Sequence, residues 1–193
     1  GIITPIVTPF HRDAEQSINY EATEKLINHL IEHGVKGIFI LGSNGEFHVI
    51  DEDEKIEMTK RVVEIVNKRV PVYVGTGCCS TRATVRLSQK VEAAGADALS
   101  VITPYFLKPT NENLYAHYKA VAESVNIPIV LYNIPKATGC PLDPELVDRL
   151  ADFDNIQGIK DSSGELDRLQ AYAEISKRKE LQLLVGSDSK ISY

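Results

Sequence analysis

Short apolar runs alternate with longer amphipathic segments along the whole chain. The runs are rich in β-branched residues and are bounded by polar or glycine-containing turns, which is typical of buried strands. The predicted strands are residues 2–7, 37–41, 72–75, 98–103, 127–132, 156–160 and 183–186. In the intervening segments apolar residues recur with the helical period. The predicted helices are residues 22–31, 51–67, 81–94, 111–125, 143–150 and 166–177.

This alternation predicts an α/β fold of parallel strands joined by right-handed crossovers. A (β/α)₈ barrel fits better than an open doubly wound sheet, because the segment Gly75-Thr76-Gly77 lacks the third glycine of a dinucleotide-binding turn. A complete barrel typically needs about 250 residues, and this chain has 193. We therefore expect one barrel domain over residues 1–193, truncated after strand seven and lacking the eighth strand and the C-terminal helices.

The composition narrows the class of protein. A hydrophobic content of 43% with 25% charged residues describes an ordinary globular domain. The net charge of −6, without a basic cluster, argues against a nucleic-acid partner. No apolar run approaches the ~20 residues that a membrane span needs. The three cysteines form no disulfide framework and suit a reducing compartment. We expect a cytoplasmic protein, and we assign no role to Cys78, Cys79 or Cys140.

Lys160 is the first candidate catalytic residue. It ends the predicted strand of residues 156–160 and precedes the polar turn Asp161-Ser162-Ser163-Gly164. A lysine at the end of a buried strand is poorly hydrated, which favours the neutral amine. A neutral amine can attack a ketone and form a Schiff base. Taken alone, the position is more typical of a lysine that extends to solvent.

Other side chains that could take part in catalysis also lie at the ends of predicted strands. Barrel active sites form at the carboxyl ends of their strands. Ser43 lies in the turn Gly42-Ser43-Asn44-Gly45-Glu46, Tyr105 follows Pro104, Tyr132 ends strand five, and strand seven runs into Gly186-Ser187-Asp188. An amine, a phenol and a hydroxyl on one rim suit imine chemistry, in which protons must be relayed. Singly, each has a plainer explanation: a tight turn for residues 42–46, or a core tyrosine for Tyr132 and Tyr105.

In this order the motifs resemble those of the N-acetylneuraminate lyase and dihydrodipicolinate synthase superfamily of pyruvate-dependent class I aldolases. The matching segments are Thr4-Pro5, Thr8-Pro9-Phe10, Gly42 to Glu46, Pro104-Tyr105, Tyr132-Asn133-Ile134-Pro135, Thr138-Gly139 and Gly158-Ile159-Lys160-Asp161. The resemblance covers essentially the whole chain. It implies a carbon–carbon lyase that needs no metal and no cofactor and that commonly forms a tetramer built from dimers.

The resemblance also implies roles for the candidate residues. Lys160 would form the Schiff base with pyruvate or another 2-oxo acid, and Tyr132 would relay protons. Ser43, with the backbone of Asn44, would hold the carboxylate and complete the proton path. Tyr105, Ala137 and Gly186 would line the substrate site.

Two departures bear on the second substrate. Dihydrodipicolinate synthases usually carry an arginine where this chain has Ala137, with Lys136 beside it, and a second tyrosine where it has Phe106. Lysine is a poor substitute for bidentate carboxylate recognition. We therefore expect a 2-keto-3-deoxy sugar acid aldolase or a sialic-acid-lyase-like enzyme. The alternative is 4-hydroxy-tetrahydrodipicolinate synthase, which condenses pyruvate with aspartate semialdehyde.

Two hypotheses of other classes stay open at this point. A metal-dependent aldolase would need clustered ligands, and no histidine lies at the carboxyl end of a predicted strand. A non-catalytic barrel that binds a 2-oxo acid would keep the binding residues without the turnover.

Overall fold

The computed structural model describes residues 1–187, so that Asp188 of the seventh turn lies outside the described residues. Its strands are β1 (Ile3–Pro5), β2 (Gly37–Ile40), β3 (Val72–Gly75), β4 (Ala98–Ile102), β5 (Ile129–Asn133), β6 (Ile156–Asp161) and β7 (Gln182–Val185). Its α-helices are α1 (Tyr20–Glu32), α2 (Glu52–Val66), α3 (Thr81–Ala93), α4 (Asn111–Ala122), α5 (Pro135–Thr138), α6 (Pro144–Leu150) and α7 (Leu166–Lys179). A 3₁₀ turn covers Phe47–Val49. Every predicted strand and helix is therefore present, with its ends moved by a few residues.

The chain forms two compact units. The first comprises Gly1–Thr76 and Gln89–Leu99, and the second comprises Gly77–Ser88 and the chain from Ser100 onward. The single domain predicted over residues 1–193 stays a prediction. No helix of the described chain is long and apolar enough to cross a membrane.

In the first unit β1, β2 and β3 run parallel, with Ile3 opposite Gly37 and Ile38 opposite Val72. Every residue of β2 is buried, as expected for a parallel strand covered on both faces. Helix α1 begins at an N-cap: the Ala22 N–H donates to Asn19 Oδ1 over 3.0 Å.

In the second unit β5, β6 and β7 also run parallel, and β6 lies between the other two. The fully buried Tyr118 of α4 donates its hydroxyl to the Val101 carbonyl over 3.2 Å. A buried phenol with a partner packs its ring without leaving its polar atom unsatisfied. This core supports the strand ends on which the candidate residues lie.

The short helix α5 was not predicted from the sequence. Pro135 occupies its first turn, and Gly139 ends it with a φ of +66°, a backbone conformation that glycine adopts without strain. The helix follows β5 directly, so Lys136 and Ala137 lie just beyond the strand that carries Tyr132.

Candidate active site

Lys160 and Tyr132 lie side by side at the carboxyl ends of β6 and β5. They are opposite each other in the parallel register, and the Lys160 Nζ lies 4.1 Å from the centroid of the Tyr132 ring. Tyr132 is 5% exposed and Lys160 is half-buried. The amine is therefore neither in bulk solvent nor at the opposite end of the strands from the phenol. The structure brings the two predicted catalytic residues together.

The next residue of each strand faces the other way, because side chains alternate along a strand. Asn133 and Asp161 are again opposite each other, and both are buried. The Asn133 Nδ2–H donates to Asp161 Oδ1 over 2.7 Å, and the Leu142 N–H donates to Asn133 Oδ1 over 2.9 Å. The Ser163 hydroxyl donates to Asp161 Oδ2 over 2.9 Å. We call Asn133, Asp161 and Ser163 the strand clasp, since they fix β5 against β6 next to the Lys160–Tyr132 pair.

The absence of a side chain at Gly186 leaves room for the side chain of Lys160. A Cβ at Gly186 would lie 2.1 Å from Ser162 Oγ and 3.1 Å from Lys160 Cε. The Gly186 N–H donates to the Asp161 carbonyl over 2.7 Å, which holds the backbone of Gly186 against the end of β6. A side chain at this position would therefore require both Ser162 and Lys160 to shift. Gly186, predicted to bind substrate, is thus placed beside the amine.

Tyr105 lies in the segment after β4 and is half-buried. Burial first, and then the interaction with the Cys79 thiol, raise the pKa of Tyr105 to about 12. The phenol is consequently protonated at neutral pH, and its O–H is a hydrogen-bond donor.

Ser43 and Asn44 belong to the first unit, in the turn after β2. The turn is closed by the Gly45 N–H, which donates to the Gly42 carbonyl over 3.0 Å. The Ser43 Oγ is buried and has no hydrogen-bond partner within residues 1–187, whereas Asn44 is exposed. A buried hydroxyl without a partner is costly unless a ligand supplies one.

Lys136 and Ala137 are both exposed on α5. The Lys136 Nζ lies 3.9 Å from the point where a Cβ at Gly164 would sit. Gly164 belongs to the turn that follows Lys160, so this cation extends over the same strand end. The methyl group of Ala137 offers no charge at the arginine position of the related synthases.

Sequence reasoning gave no role to several residues that the structure places here, including the three residues of the strand clasp. Asn133 and Asp161 lie inside the motifs that carry the family resemblance. Because side chains alternate along a strand, the residues directly after Tyr132 and Lys160 would be expected to face each other. Ser162 and Cys79 had no signal, because their neighbours come from distant parts of the chain. No group of three or more potential metal-ligating side chains occurs in the described part of the chain.

The model of the dihydrodipicolinate synthetase family matches residues 1–192. The chain is 43% identical over 188 residues to 4-hydroxy-tetrahydrodipicolinate synthase 1 of Halalkalibacterium halodurans. The aligned region covers 97% of this chain and 63% of that protein. It is 39% identical over 191 residues to the 4-hydroxy-tetrahydrodipicolinate synthase of Clostridium perfringens, across 99% of this chain and 64% of the relative. The chain thus spans less than two thirds of the length of these relatives.

Solved structures give the same result. The dihydrodipicolinate synthase of Acinetobacter baumannii complexed with pyruvate matches with a TM-score of 0.93 and 38% identity, over 97% of this chain and 64% of that one. YagE, a prophage protein of E. coli K12 from the dihydrodipicolinic acid synthase family in complex with pyruvate, matches with a TM-score of 0.93 and 40% identity, over 97% and 63%. The predicted α/β fold of the (β/α)-barrel class is confirmed, and so is the predicted superfamily. The names of the relatives agree with the alternative, 4-hydroxy-tetrahydrodipicolinate synthase, better than with a sugar acid aldolase.

Proposed function

Because the chain belongs to the dihydrodipicolinate synthetase family, we propose that Lys160 forms a Schiff base with pyruvate or a related 2-oxo acid. The enzyme then makes or breaks the carbon–carbon bond next to the imine. The observation that carries this proposal is the amine of Lys160 beside the Tyr132 ring, 4.1 Å from its centroid. Two similar structures are described as complexes with pyruvate, which supports the same ligand here.

The proposed reaction begins when the Lys160 amine attacks the keto carbon of pyruvate; the adduct takes up a proton and loses water to give an iminium. The iminium is an electron sink, so the neighbouring methyl carbon loses a proton without becoming a free carbanion. The enamine formed in this way attacks the aldehyde carbon, and the aldehyde oxygen takes up a proton. Water then hydrolyses the new iminium, which releases the product and frees the Lys160 amine. Tyr132 is the proposed proton relay, because its phenol is fixed on the strand paired with Lys160.

The carboxylate of the 2-oxo acid is assigned to Ser43 and to the backbone of Asn44, on the strength of the resemblance. The buried, unpartnered Ser43 Oγ supports this assignment, because a carboxylate oxygen would accept its hydrogen bond. Gly186 supports substrate access to Lys160, since a Cβ there would crowd the lysine at 3.1 Å from its Cε. Tyr105 and Ala137 are proposed to line the space for the second substrate.

For that second substrate, the relatives favour aspartate semialdehyde and hence 4-hydroxy-tetrahydrodipicolinate synthase activity. The exposed Lys136 could hold the carboxylate of this aldehyde as a point charge. The second candidate is a 2-keto-3-deoxy sugar acid or sialic acid, favoured by Ala137, which leaves the arginine position uncharged. The expected homo-oligomer and the cytoplasmic location remain part of the proposal.

Schiff-base formation is tested by incubating the full-length natural protein with pyruvate and borohydride. A stable mass increase located on Lys160 is the expected result. Lys160→Arg should abolish it, because arginine stays protonated and does not attack a carbonyl. Lys136→Arg is the matched control, since it alters an exposed lysine near the same strand end and should leave trapping intact. A folded protein that gives no adduct would instead be a non-catalytic barrel.

The choice of aldehyde is tested by comparing turnover with three substrate sets in the presence of a chelator. These are pyruvate with aspartate semialdehyde, 2-keto-3-deoxygluconate alone, and sialic acid alone. Preference for aspartate semialdehyde, lost in Lys136→Met, supports the synthase and the role of Lys136. Preference for either sugar acid supports the second candidate. Loss of all turnover on chelation would indicate a metal-dependent aldolase.

A further inference from the structure

Arg168 of α7 is a cation held mostly out of solvent, with 18% of its side chain exposed. Its Nε–H donates to Glu165 Oε2 over 3.0 Å, and its Nη1–H donates to the Leu142 carbonyl over 2.7 Å. The same carbonyl accepts the hydroxyl of the fully buried Tyr172. The guanidinium thus joins the start of its own helix to the segment between α5 and α6, which suits the forked donor geometry of arginine.

Both partners of this guanidinium lead back to the strand clasp. The Leu142 N–H donates to Asn133 Oδ1 over 2.9 Å. The Glu165 N–H donates to Ser163 Oγ over 3.1 Å. Within the clasp, Asn133 and Ser163 both donate to the Asp161 carboxylate, over 2.7 Å and 2.9 Å. The series of bonds therefore closes on itself.

These contacts form a closed ring of hydrogen bonds, which we call the turn ring. In order around the ring, its members are Asp161, Asn133, Leu142, Arg168, Glu165 and Ser163. Donors and acceptors match throughout: the Ser163 hydroxyl donates once and accepts once, and the Asn133 amide donates with its nitrogen and accepts with its oxygen. Buried hydrogen bonds linked in this way strengthen one another. The ring runs through the turn of residues 161–165, which begins directly after Lys160.

We propose that Arg168 is a positioning residue, which closes the turn ring and so holds Lys160 in the orientation that forms the imine. This proposal rests on the Schiff-base function proposed for Lys160. Arg168 acts through the backbone and does not touch the substrate. Ser162, the second residue after Lys160, donates its N–H to the Asn133 carbonyl over 2.8 Å. Movement of the ring is therefore passed to the strand end that carries the amine.

An ordinary surface ion pair accounts less well for the contacts of Arg168. Arg149 shows what such a pair looks like here: it lies 2.6 Å from Glu112, and the two side chains are 46% and 74% exposed. Exposed pairs of this kind contribute little to stability. Arg149 also lies over the ring of Tyr115, and neither partner belongs to the turn ring. Arg168, by contrast, binds the carbonyl of Leu142, a residue that is 0% exposed.

The test measures the rate of borohydride trapping on Lys160 as the pyruvate concentration is varied, in the full-length natural protein. Borohydride is in excess, so that imine formation sets the rate. Arg168→Met keeps an apolar stem but opens the ring, and the limiting rate should fall roughly tenfold because the nucleophile is displaced. The pyruvate concentration at half the limiting rate should stay unchanged, since Arg168 does not touch the substrate. Arg149→Met is the matched control and should be trapped at the parent rate.

Ser163→Ala opens the same ring at another point and gives a readout that a general loss of stability would not give. Alone, it should also slow trapping roughly tenfold. Combined with Arg168→Met it should cause no further loss, because residues of one network have non-additive effects. Thermal unfolding checks that each variant is folded. Arg168→Lys keeps the charge but loses the fork, so its trapping rate should lie between those of the parent and Arg168→Met. It takes the place of Arg168→Met in the same comparison if that variant does not fold.

Three results would overturn the role of Arg168. They are trapping of Arg168→Met at the parent rate, a changed half-saturating pyruvate concentration with an unchanged limiting rate, and losses that multiply to roughly a hundredfold in the double variant. A parent protein that gives no adduct rejects instead the Schiff base on Lys160. The two failures are read from different samples and are therefore distinguishable.

Discussion

Replacing Gly186 by alanine should impair Lys160 more than it impairs folding. The added Cβ would lie 2.1 Å from Ser162 Oγ and 3.1 Å from Lys160 Cε. The serine side chain must leave its present rotamer, and the lysine must move by a few tenths of an ångström. Overpacking of this kind typically costs about 1–3 kcal/mol of stability. Displacing the nucleophile by about 1 Å can slow its reaction by up to about 100-fold.

The measurement is the rate at which pyruvate and borohydride label Lys160, followed by intact mass, with thermal unfolding as the check on folding. Ser162→Ala removes the shorter of the two clashes. In the double variant, stability should return nearly to that of the parent, while labelling should recover only in part because the 3.1 Å contact with Lys160 Cε remains. Gly186→Ala labelling at the parent rate would refute this reasoning. A double variant no more stable than Gly186→Ala would refute it as well.

Other substitutions test the proposed catalytic residues separately from the residues that stabilise the fold. Tyr132→Phe keeps the ring beside Lys160 and should leave the fold intact, while turnover falls roughly 10²- to 10⁴-fold for want of the proton relay. Asn133→Ala removes the bonds to Asp161 and to the Leu142 N–H, and should lower the free energy of unfolding by about 3 kcal/mol in denaturant titration. Burial lowers the pKa of His117 to about 4, below its ordinary value of 6.5. As the pH falls from 6.5 to 4, the unfolded chain therefore takes up a proton that the folded chain does not, and stability should fall by about 3 kcal/mol.

Each of these expectations has its own contradiction. Tyr132→Phe with unchanged turnover would remove the phenol from the mechanism. Asn113→Ala, at an exposed position, is the control for Asn133→Ala and should change stability by less than about 0.5 kcal/mol; equal losses would dismiss the strand clasp. His117→Asn cannot take up the proton, so a pH-dependent loss that is as large in this variant as in the parent must have another origin.

Much of the fold and part of the site were predictable from the sequence. The strands are short apolar runs bounded by turn residues, and that signal is local, so their positions were predicted within a few residues. The convergence of Lys160 and Tyr132 followed from barrel topology, which places the carboxyl ends of neighbouring strands together. Strand alternation, carried one residue further, would have predicted that Asn133 and Asp161 face each other.

The remaining features depend on contacts that leave no periodic trace. The influence of the Cys79 thiol on the pKa of Tyr105 joins two loops after different strands, and neither loop has a regular pattern. The clash that restricts Gly186 exists only because the Asp161 carbonyl draws its backbone close to Lys160. Short α5 was signalled by Pro135 and Gly139, but four residues are too few for a helical period to appear.

The strand clasp has a consequence for how such an enzyme could diversify. The groups proposed to react, Lys160 and Tyr132, are carried by neighbouring strands that are joined by backbone pairing and by buried polar side chains. The residues proposed to meet the aldehyde, by contrast, lie on α5 and on loops. Substitutions there could exchange one acceptor for another without disturbing the imine-forming centre. The strands would then keep the proposed reaction, while changes in α5 and the loops alter the substrate specificity.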